Sequence, residues 1–188
     1  MSGGRLKPKR CRVCKAEFQP FNSLHKACSP KCALELAVSV REKKERKERR
    51  EAKVKLKSRS DWLREAQSVC NKFIRLRDQG KPCISCDKPD DGSHQRHASH
   101  YRPTGNCSPL RFHEMNIHAS CMQCNSHKSG NLIPYRGALV SLYGAEMVEW
   151  MEGQNQPFTW EIDDIKAVKE YYRLKIQALS TTQPNSQR

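Results

Sequence analysis

Residues 83–131 contain the three segments that decide the fold: CISC at 83–86, RHASHYRP at 96–103 and RFHEMNIHASCMQCNSHKSGN at 111–131. Two Cys-x-x-Cys pairs bracket nearly all the histidines of this stretch. A tight knuckle points two thiolates at one metal ion, and a second pair completes a tetrahedral zinc site. The spacing therefore predicts a structural zinc ion with four ligands: Cys83, Cys86, Cys121 and Cys124.

A second cysteine quartet lies near the start of the chain, as CRVC at 11–14 and CSPKC at 28–32. Four cysteine ligands leave no open coordination position, so this site is predicted to hold a structural zinc ion as well. Its ligands would be Cys11, Cys14, Cys28 and Cys32. Three apolar residues between the pairs are expected to form a miniature core: Phe18, Phe21 and Leu24.

The composition favours a polyanionic partner. The 188 residues carry a net charge of +15, with a pI of about 9.6 and 36% hydrophobic residues. Nucleic acid is the expected partner, while a membrane is not, because no long apolar run occurs. The start, MSGGRLKPKRC, lacks the apolar core of a signal peptide, and eight of ten cysteines fall in the quartets. We therefore expect a cytoplasmic protein whose cysteines stay reduced.

A highly charged helix is predicted over residues 33–59, begun by Ser29 as a capping residue and Pro30 at the first helical position. Residues 41–59 contain eleven basic and four acidic side chains. Such a helix is either a solvated spacer or an arm that follows DNA phosphates. The candidate phosphate-binding residues on it are Lys43, Lys44, Arg46, Lys47, Arg49 and Arg50.

Other segments have apolar residues at helical spacing. Ser60 is the expected N-cap of a helix over 61–79, on whose apolar face Cys70 would be a buried thiol. Residues 135–152 are predicted to be helical, and Thr159 to cap a last helix with one apolar stripe. Cys107 lies in a loop and receives no role.

Between the cysteine pairs, two short strands are predicted. One would end near His100 and the other would lie at 110–112, before a turn at Asn116 and a helix that opens near Cys121. The chain is thus expected to be mainly α, with small zinc-stabilised α+β modules. We divide it into a zinc module, a basic helix or linker, a zinc-stabilised core with its preceding helix, a C-terminal helical segment and a disordered tail: 5–32, 33–59, 60–134, 135–179 and 180–188.

The central histidines suit phosphodiester hydrolysis, which needs a base for water and a cation for the developing charge. His100 is the best candidate base, because imidazole titrates near neutrality. Arg102 could hold a phosphate, Asn116 could orient the imidazole, and Asn125 and His127 would lie near the same point, followed by Lys128. An asparagine oxygen suits Mg²⁺ and an imidazole suits Mn²⁺ better. The alternative is that these histidines only contact phosphate or backbone.

These motifs resemble a known group. Cys-x-x-Cys, a histidine and then Asn-Ile-His-x-x-Cys-x-x-Cys-Asn-x-His-Lys are similar to HNH (ββα-metal) nucleases with a structural zinc. The CRVC…CSPKC quartet, the charged helix and the order PCISC, SHYR, LRF, NIH, CNSHKSGNL, PYR resemble the NinG (Rap) family of lambdoid phage recombination proteins, from about residue 9 to about 179. The resemblance implies an HNH-like core over 60–134 and a structure-specific endonuclease for branched DNA, including Holliday junctions and forks. Host or phage recombination proteins are implied partners.

Carried over by position, the resemblance makes His100 the general base, Asn116 the middle asparagine and Asn125 a ligand of a catalytic Mg²⁺ or Mn²⁺. HNH enzymes commonly have an aspartate directly before the base, where this chain has Ser99. The NinG pattern Asp-Ala-Gly-His corresponds to HASH at 97–100. Either His97 replaces the acidic ligand, or His127 or His118 completes the site.

Two other functions stay open. One is a non-catalytic zinc-finger protein that binds DNA as a recombination accessory or regulator, and the other is an RNA-binding or assembly factor that uses the basic helix. Paired cuts across a junction would need two active sites. A homodimer through the apolar helices of 135–179 is therefore a further expectation.

Overall fold

A computed structural model describes residues 6–105 and 109–182. The protein is mainly helical, and it divides into a first unit that ends at Lys57 and a second that begins at Ser58. The helices are α1 Pro30–Lys55, α2 Arg59–Arg77, α3 Leu132–Tyr143, α4 Ala145–Gly153 and α5 Ile162–Thr182. The strands are β1 Lys9–Arg10, β2 Glu17–Phe18, β3 His97–His100 and β4 Ile117–Ser120. No helix in the described ranges is both long enough and apolar enough to cross a membrane.

The first unit is built on a small hairpin and one helix. Strands β1 and β2 pair antiparallel, with Lys9 opposite Phe18. The apolar centre consists of Cys11, Ala27 and Cys32, against which Phe18 and Val13 pack. The two other residues of the predicted miniature core lie outside it, since Phe21 is 91% exposed and Leu24 is 77% exposed. A core of this size stabilises the unit very little, so a metal ion bound by the four cysteines would have to supply most of the stability.

Helix α1 begins as predicted. The Ser29 side chain accepts a hydrogen bond from the Cys32 backbone N–H, and Pro30 occupies the first position. Glu45 and Arg49, four positions apart on the helix, form an ion pair at 3.6 Å. Cys32 is the buried residue of α1, and the charged residues of the helix face solvent.

The main core of the second unit lies between α2 and α5. The expected N-cap Ser60 is wrong, because Ser58 caps α2 and forms a reciprocal capping box with Asp61. Burial raises the pKa of Cys70 to about 12, as expected of a core thiol that stays protonated. The buried residues of this core are Ala66, Cys70, Phe73, Ile74, Phe112, Ile117, Ile165 and Tyr172.

Strands β3 and β4 form an antiparallel ribbon, with His97 opposite Ser120 and His100 opposite Ile117. The first strand ends where the sequence predicted. The second strand was predicted at 110–112 and that prediction is wrong: residues 109–112 form turns, and the pairing strand follows Asn116. Leu110 and Phe112 point into two different cores, so their alternation reflects loop anchoring and not a strand.

The predicted helical segment at 135–152 forms two helices. Gly144 lies between α3 and α4 with a φ of 85°, a backbone conformation that glycine adopts without strain. These helices form a second core with Tyr101 and Leu110, to which they contribute Tyr135, Leu139, Val148 and Met151. This core contacts the face of the ribbon that carries His118, which lies 3.2 Å from Tyr135 Oη, whereas Ile117 on the opposite face belongs to the α2–α5 core.

Helix α5 begins at Ile162, so Thr159 is not its cap. Its apolar stripe packs on α2 within the chain, with Ile165 and Tyr172 fully covered. A homodimer would therefore have to use another surface, and it stays a prediction. The helix runs to Thr182, so 180–182 of the expected disordered tail is helical. Residues 183–188 and Cys107 lie outside the described residues.

Candidate metal centre and its histidines

The central quartet is assembled by the knuckle at 83–86 and the segment that follows β4. The four sulfur atoms of Cys83, Cys86, Cys121 and Cys124 lie within 4.8 Å of one another. Tetrahedral zinc with Zn–S bonds of about 2.3 Å requires sulfurs about 3.8 Å apart. The Sγ atoms of Cys86 and Cys121 are 3.8 Å apart, so the cluster has the size that zinc needs.

Backbone and amide N–H groups surround these sulfurs. The Cys121 backbone N–H donates to Cys83 Sγ at 3.2 Å, and Asn131 Nδ2 donates to Cys124 Sγ at 3.6 Å. Burial raises the pKa of the Cys121 thiol, but hydrogen bonds led by the Cys124 N–H outweigh it and lower the pKa to about 7. Cys121 thus favours the thiolate, which is the form that binds metal, whereas burial raises the pKa of Cys83 and of Cys124 in the same cluster.

The first quartet has the same character. The Cys14 and Cys28 sulfurs are 3.4 Å apart and those of Cys28 and Cys32 are 3.7 Å apart, within a cluster that also fits one ion. Burial raises the pKa of Cys11, and backbone N–H donors led by that of Cys28 lower it to about 6. Each of the two quartets found among the described residues could therefore hold a zinc ion, as predicted.

His97 and Asn125 lie together beside the central cluster. Asn125 directly follows Cys124 in a short π-helical turn, Gln123–His127, and its Nδ2 lies 3.2 Å from His97 Nδ1. His97 lies at the start of β3, 28 residues earlier. The structure therefore brings together an imidazole and an amide, both from the predicted site.

His100 lies on the other face of the ribbon. Side chains alternate along a strand, so His100 shares a face with Ala98, which packs against the α2–α5 core, while His97 does not. The His100 Nε2 donates to the Arg111 carbonyl at 3.0 Å, and Gln67 of α2 lies 3.5 Å from the same nitrogen. Burial lowers the pKa of His100, and the bond to Arg111 offsets only part of this. His100 is thus held as a neutral imidazole against α2.

Asn116 is fully buried and closes the loop that connects β3 to β4. Its Oδ1 accepts from the Arg102 backbone N–H at 2.7 Å, and its Nδ2 donates to the carbonyls of Arg102 and Leu110, each at 3.0 Å. The predicted contact with the imidazole of His100 is therefore wrong. Asn116 instead ties together the two ends of the loop that presents the Arg111 carbonyl.

His118 cannot complete a metal site. Tyr135 Oη donates to the Ser99 carbonyl at 2.9 Å and so accepts from His118 Nδ1, which lies 3.2 Å away. Tyr143 Oη donates to Nε2 at 2.8 Å. Both ring nitrogens are occupied, and burial lowers the pKa of His118 to about 4. This alternative from the sequence is wrong, because His118 is a neutral core residue.

The remaining predicted residues lie at the surface. His127 and Lys128 are exposed at the end of the π-helical turn. Arg102 Nη2 donates to Asn155 Oδ1 at 2.6 Å, while its Nε is buried with no hydrogen-bond partner. The basic residues of α1 project into solvent in the first unit: Lys43, Lys44, Arg46, Lys47, Arg49 and Arg50.

Sequence reasoning missed a charged pair that holds the ribbon in place. Arg77 donates to the Ile117 carbonyl at 2.8 Å, and Asp78 accepts from the Ala119 N–H at 3.1 Å. Burial opposes ionisation of Asp78, but Arg77 outweighs it and lowers the pKa of the carboxyl. The helix dipole disfavours an aspartate at a helix C-terminus. The position of Asp78 at the end of α2 could therefore have indicated that its carboxylate has a stabilising partner.

Fold and site together define a mainly helical protein with two four-cysteine clusters, each of a size that fits zinc. The family model described as Bacteriophage Lambda NinG protein matches residues 4–182. The chain belongs to this NinG family.

Curated relatives agree with that assignment. Protein ninG of Escherichia phage lambda is 39% identical over 191 aligned residues, which cover 91% of this chain and 93% of the relative. Protein ninG of Escherichia phage 933W and that of Salmonella phage P22 are each 38% identical, with the same coverage. No solved structure matches the chain.

Proposed function

We propose that the protein is a metal-dependent endonuclease that hydrolyses phosphodiesters in branched DNA, such as Holliday junctions and forks, during phage recombination. The proposal rests on the hydrogen bonding and the protonation state of His100. Because its Nε2–H is committed to the Arg111 carbonyl at 3.0 Å, the lone pair of the neutral ring is on Nδ1. Burial keeps the pKa of His100 low, so this base form predominates at neutral pH.

The reaction uses this lone pair. His100 Nδ1 takes a proton from a water molecule, the water oxygen bonds to phosphorus, and the P–O bond of the leaving group breaks as that oxygen takes a proton from solvent. Asn116 is a positioning residue here. Its bonds to Arg102 and Leu110 hold the loop whose Arg111 carbonyl sets the orientation of the imidazole.

Asn125, with His97 or the neighbouring His127, would hold the catalytic Mg²⁺ or Mn²⁺. Bound there, the ion would neutralise charge on the phosphate and on the leaving oxygen. The donor set suits this, because Asn125 offers an amide oxygen and His97 an imidazole, and the two side chains are in contact, with Asn125 Nδ2 3.2 Å from His97 Nδ1. With an imidazole in place of a carboxylate, the site is expected to prefer Mn²⁺ over Mg²⁺.

DNA is the proposed substrate because the chain carries a net charge of +15. The Lys and Arg side chains of α1, together with Arg102 and Lys128, would neutralise backbone phosphates without reading base sequence. Deleting residues 41–57 should then reduce the slope of binding against salt concentration. An unchanged slope would show that α1 does not contact the DNA phosphates.

The test is cleavage of a labelled four-way junction with added Mn²⁺ or Mg²⁺. His100→Ala should slow cleavage by about 10²- to 10⁴-fold, the usual contribution of a general base, with unchanged junction binding. His94→Ala is the matched control, since His94 is an exposed histidine near the same strand. Cleavage by His100→Ala at the parent rate would refute the assignment.

The alternative is a non-catalytic zinc protein that binds DNA as a recombination accessory or regulator. Two observations favour it: His97 and His100 lie on opposite faces of β3, and Ser99 is only 2% exposed where HNH enzymes place an acidic ligand. This alternative predicts salt-sensitive binding and no product that depends on Mn²⁺ or Mg²⁺. The same junction assay therefore decides between the two.

A further inference from the structure

One face of α2 forms an open groove of about 620 Å³ that the sequence analysis did not single out. The groove runs along polar residues spaced three and four positions apart, which share one side of a helix. Arg111 closes it from the loop between β3 and β4. The polar residues that matter here are Ser60, Arg64, Gln67, Asn71, Arg75 and Arg111.

The lining of this groove is strongly cationic. It contains three arginines and no carboxylate. Arg64 has only an exposed ion pair with Asp61, at 3.2 Å, which solvent screens. Arg111 Nε is buried without a hydrogen-bond partner, and burial lowers the pKa of its guanidinium. An anion bound in the groove would accept a hydrogen bond from Arg111 Nε and would stabilise the positive charge of its guanidinium.

The spacing of the cations indicates an extended ligand. Arg64 and Arg75 are eleven residues apart on α2, which places their backbones about 16 Å apart at 1.5 Å per residue. A single phosphate cannot reach both. A chain of phosphates can, because it offers a charge at each nucleotide.

Two residues of the groove, Gln67 and Arg111, contact the candidate base His100. Gln67 Nε2, which donates to Asn71 Oδ1 at 2.9 Å, lies 3.5 Å from His100 Nε2. Arg111 lines the groove with its side chain and accepts the His100 hydrogen bond with its carbonyl. Gln67 Oε1, at the same point, is buried and has no hydrogen-bond partner among the described residues.

We infer that this groove binds the sugar-phosphate backbone of one DNA strand and leads it to His100. The strand lies along α2, with its phosphates on Arg64, Arg75 and Arg111. Delivery of a scissile phosphate to His100 rests on the proposed nuclease function, whereas binding in the groove does not.

The experiment compares Arg64→Gln/Arg75→Gln with the parent in binding to a labelled four-way junction, without added Mg²⁺ or Mn²⁺. The dissociation constant should rise about tenfold or more, and the log–log slope against salt should fall by roughly 1.4 to 1.8, because each lost phosphate contact accounts for about 0.7 to 0.9. Arg173→Gln is the matched control. Arg173 is an exposed arginine of α5 with a similar helical ion pair, to Glu170 at 3.6 Å, and its loss should leave both values near those of the parent.

Thermal unfolding of the three proteins shows whether the substitutions preserve the fold, as expected for side chains outside the core. If the double variant keeps the affinity and the slope of the parent, or loses no more than the control does, the groove does not bind DNA. Displacement of the junction by structured RNA at lower concentration than by unlabelled junction would also overturn the assignment. Metal-dependent cleavage by the parent is measured separately. If the parent does not cleave, the nuclease proposal is wrong; if the double variant binds the junction like the parent, the groove proposal is wrong.

Discussion

The two four-cysteine clusters have the same ligands and different surroundings. The first is supported by three small buried residues, Cys11, Ala27 and Cys32. The second lies beside a ribbon that is packed on both faces, by the α2–α5 core and by the core of α3 and α4. A zinc ion bound in each cluster would therefore have different roles: it would stabilise the fold of the first unit and mainly position residues in the second.

The largest effect expected from this comparison is that of removing zinc with a chelator. Structural zinc contributes about 10–16 kcal/mol in small zinc modules, far more than a core of three residues. Residues 6–32 should lose their amide-exchange protection, while α2 and α5 should keep theirs. Restoring zinc should reverse the loss. Equal loss of protection in both units would show that the apolar cores do not hold the second unit.

A core substitution tests whether the second unit depends on its apolar core. Ile74 is fully buried between α2 and α5, so Ile74→Ala should lower the free energy of unfolding of the second unit by about 2–5 kcal/mol. Leu24→Ala is the control in the first unit. Leu24 is 77% exposed, and its removal should change stability by less than about 0.5 kcal/mol. Similar losses in the two variants would contradict the burial difference.

The buried histidine should make the second unit sensitive to acid. The pKa of His118 falls from 6.5 to about 4 on folding, so its contribution to stability is complete above about pH 6.5 and is lost as the pH falls towards 4. The loss amounts to about 3 kcal/mol, at 1.36 kcal/mol for each unit of pKa.

The measurement is denaturant unfolding across this pH range for the parent and for His118→Asn. Acid also displaces metal from cysteines in both proteins, so the difference between their pH dependences isolates the histidine. Parallel curves would mean that His118 is not the titrating group.

The smallest effect concerns the start of α2. Ser58→Ala should cost about 1 kcal/mol, because Ser58 Oγ accepts from the Asp61 N–H in the capping box. Ser60→Ala should cost less, since Ser60 is inside the helix. Thermal unfolding of the two variants measures the difference, and a larger loss from Ser60→Ala would contradict the observed cap.

Some features that depend on neighbouring residues were predicted correctly, although the expected caps Ser60 and Thr159 were wrong. The ligand spacing of both quartets, the start of α1 at Ser29 and the buried Cys70 follow from local sequence, because knuckles, caps and helical faces form over a few residues. Ser58 could also have been identified, since Asp61 stands at the third helical position and completes the capping box.

Features that depend on distant partners were not predicted. The apolar alternation at 110–112 indicated a strand, but Leu110 and Phe112 anchor a loop in two cores. In the candidate site, His100 was identified by position, yet its partners Gln67 and Arg111 lie 33 and 11 residues away. A histidine in the sequence shows that an imidazole is present, but it does not show which hydrogen bond each ring nitrogen makes.

The sequence by itself determined the two four-cysteine sets that could hold zinc, the mainly helical class and the family, because cysteine spacing and apolar periodicity act over short distances. Only the tertiary structure decided which groups each histidine contacts. It buried His118 between two tyrosines, placed His97 on Asn125 and turned His100 towards α2, since the two faces of the ribbon pack against different cores.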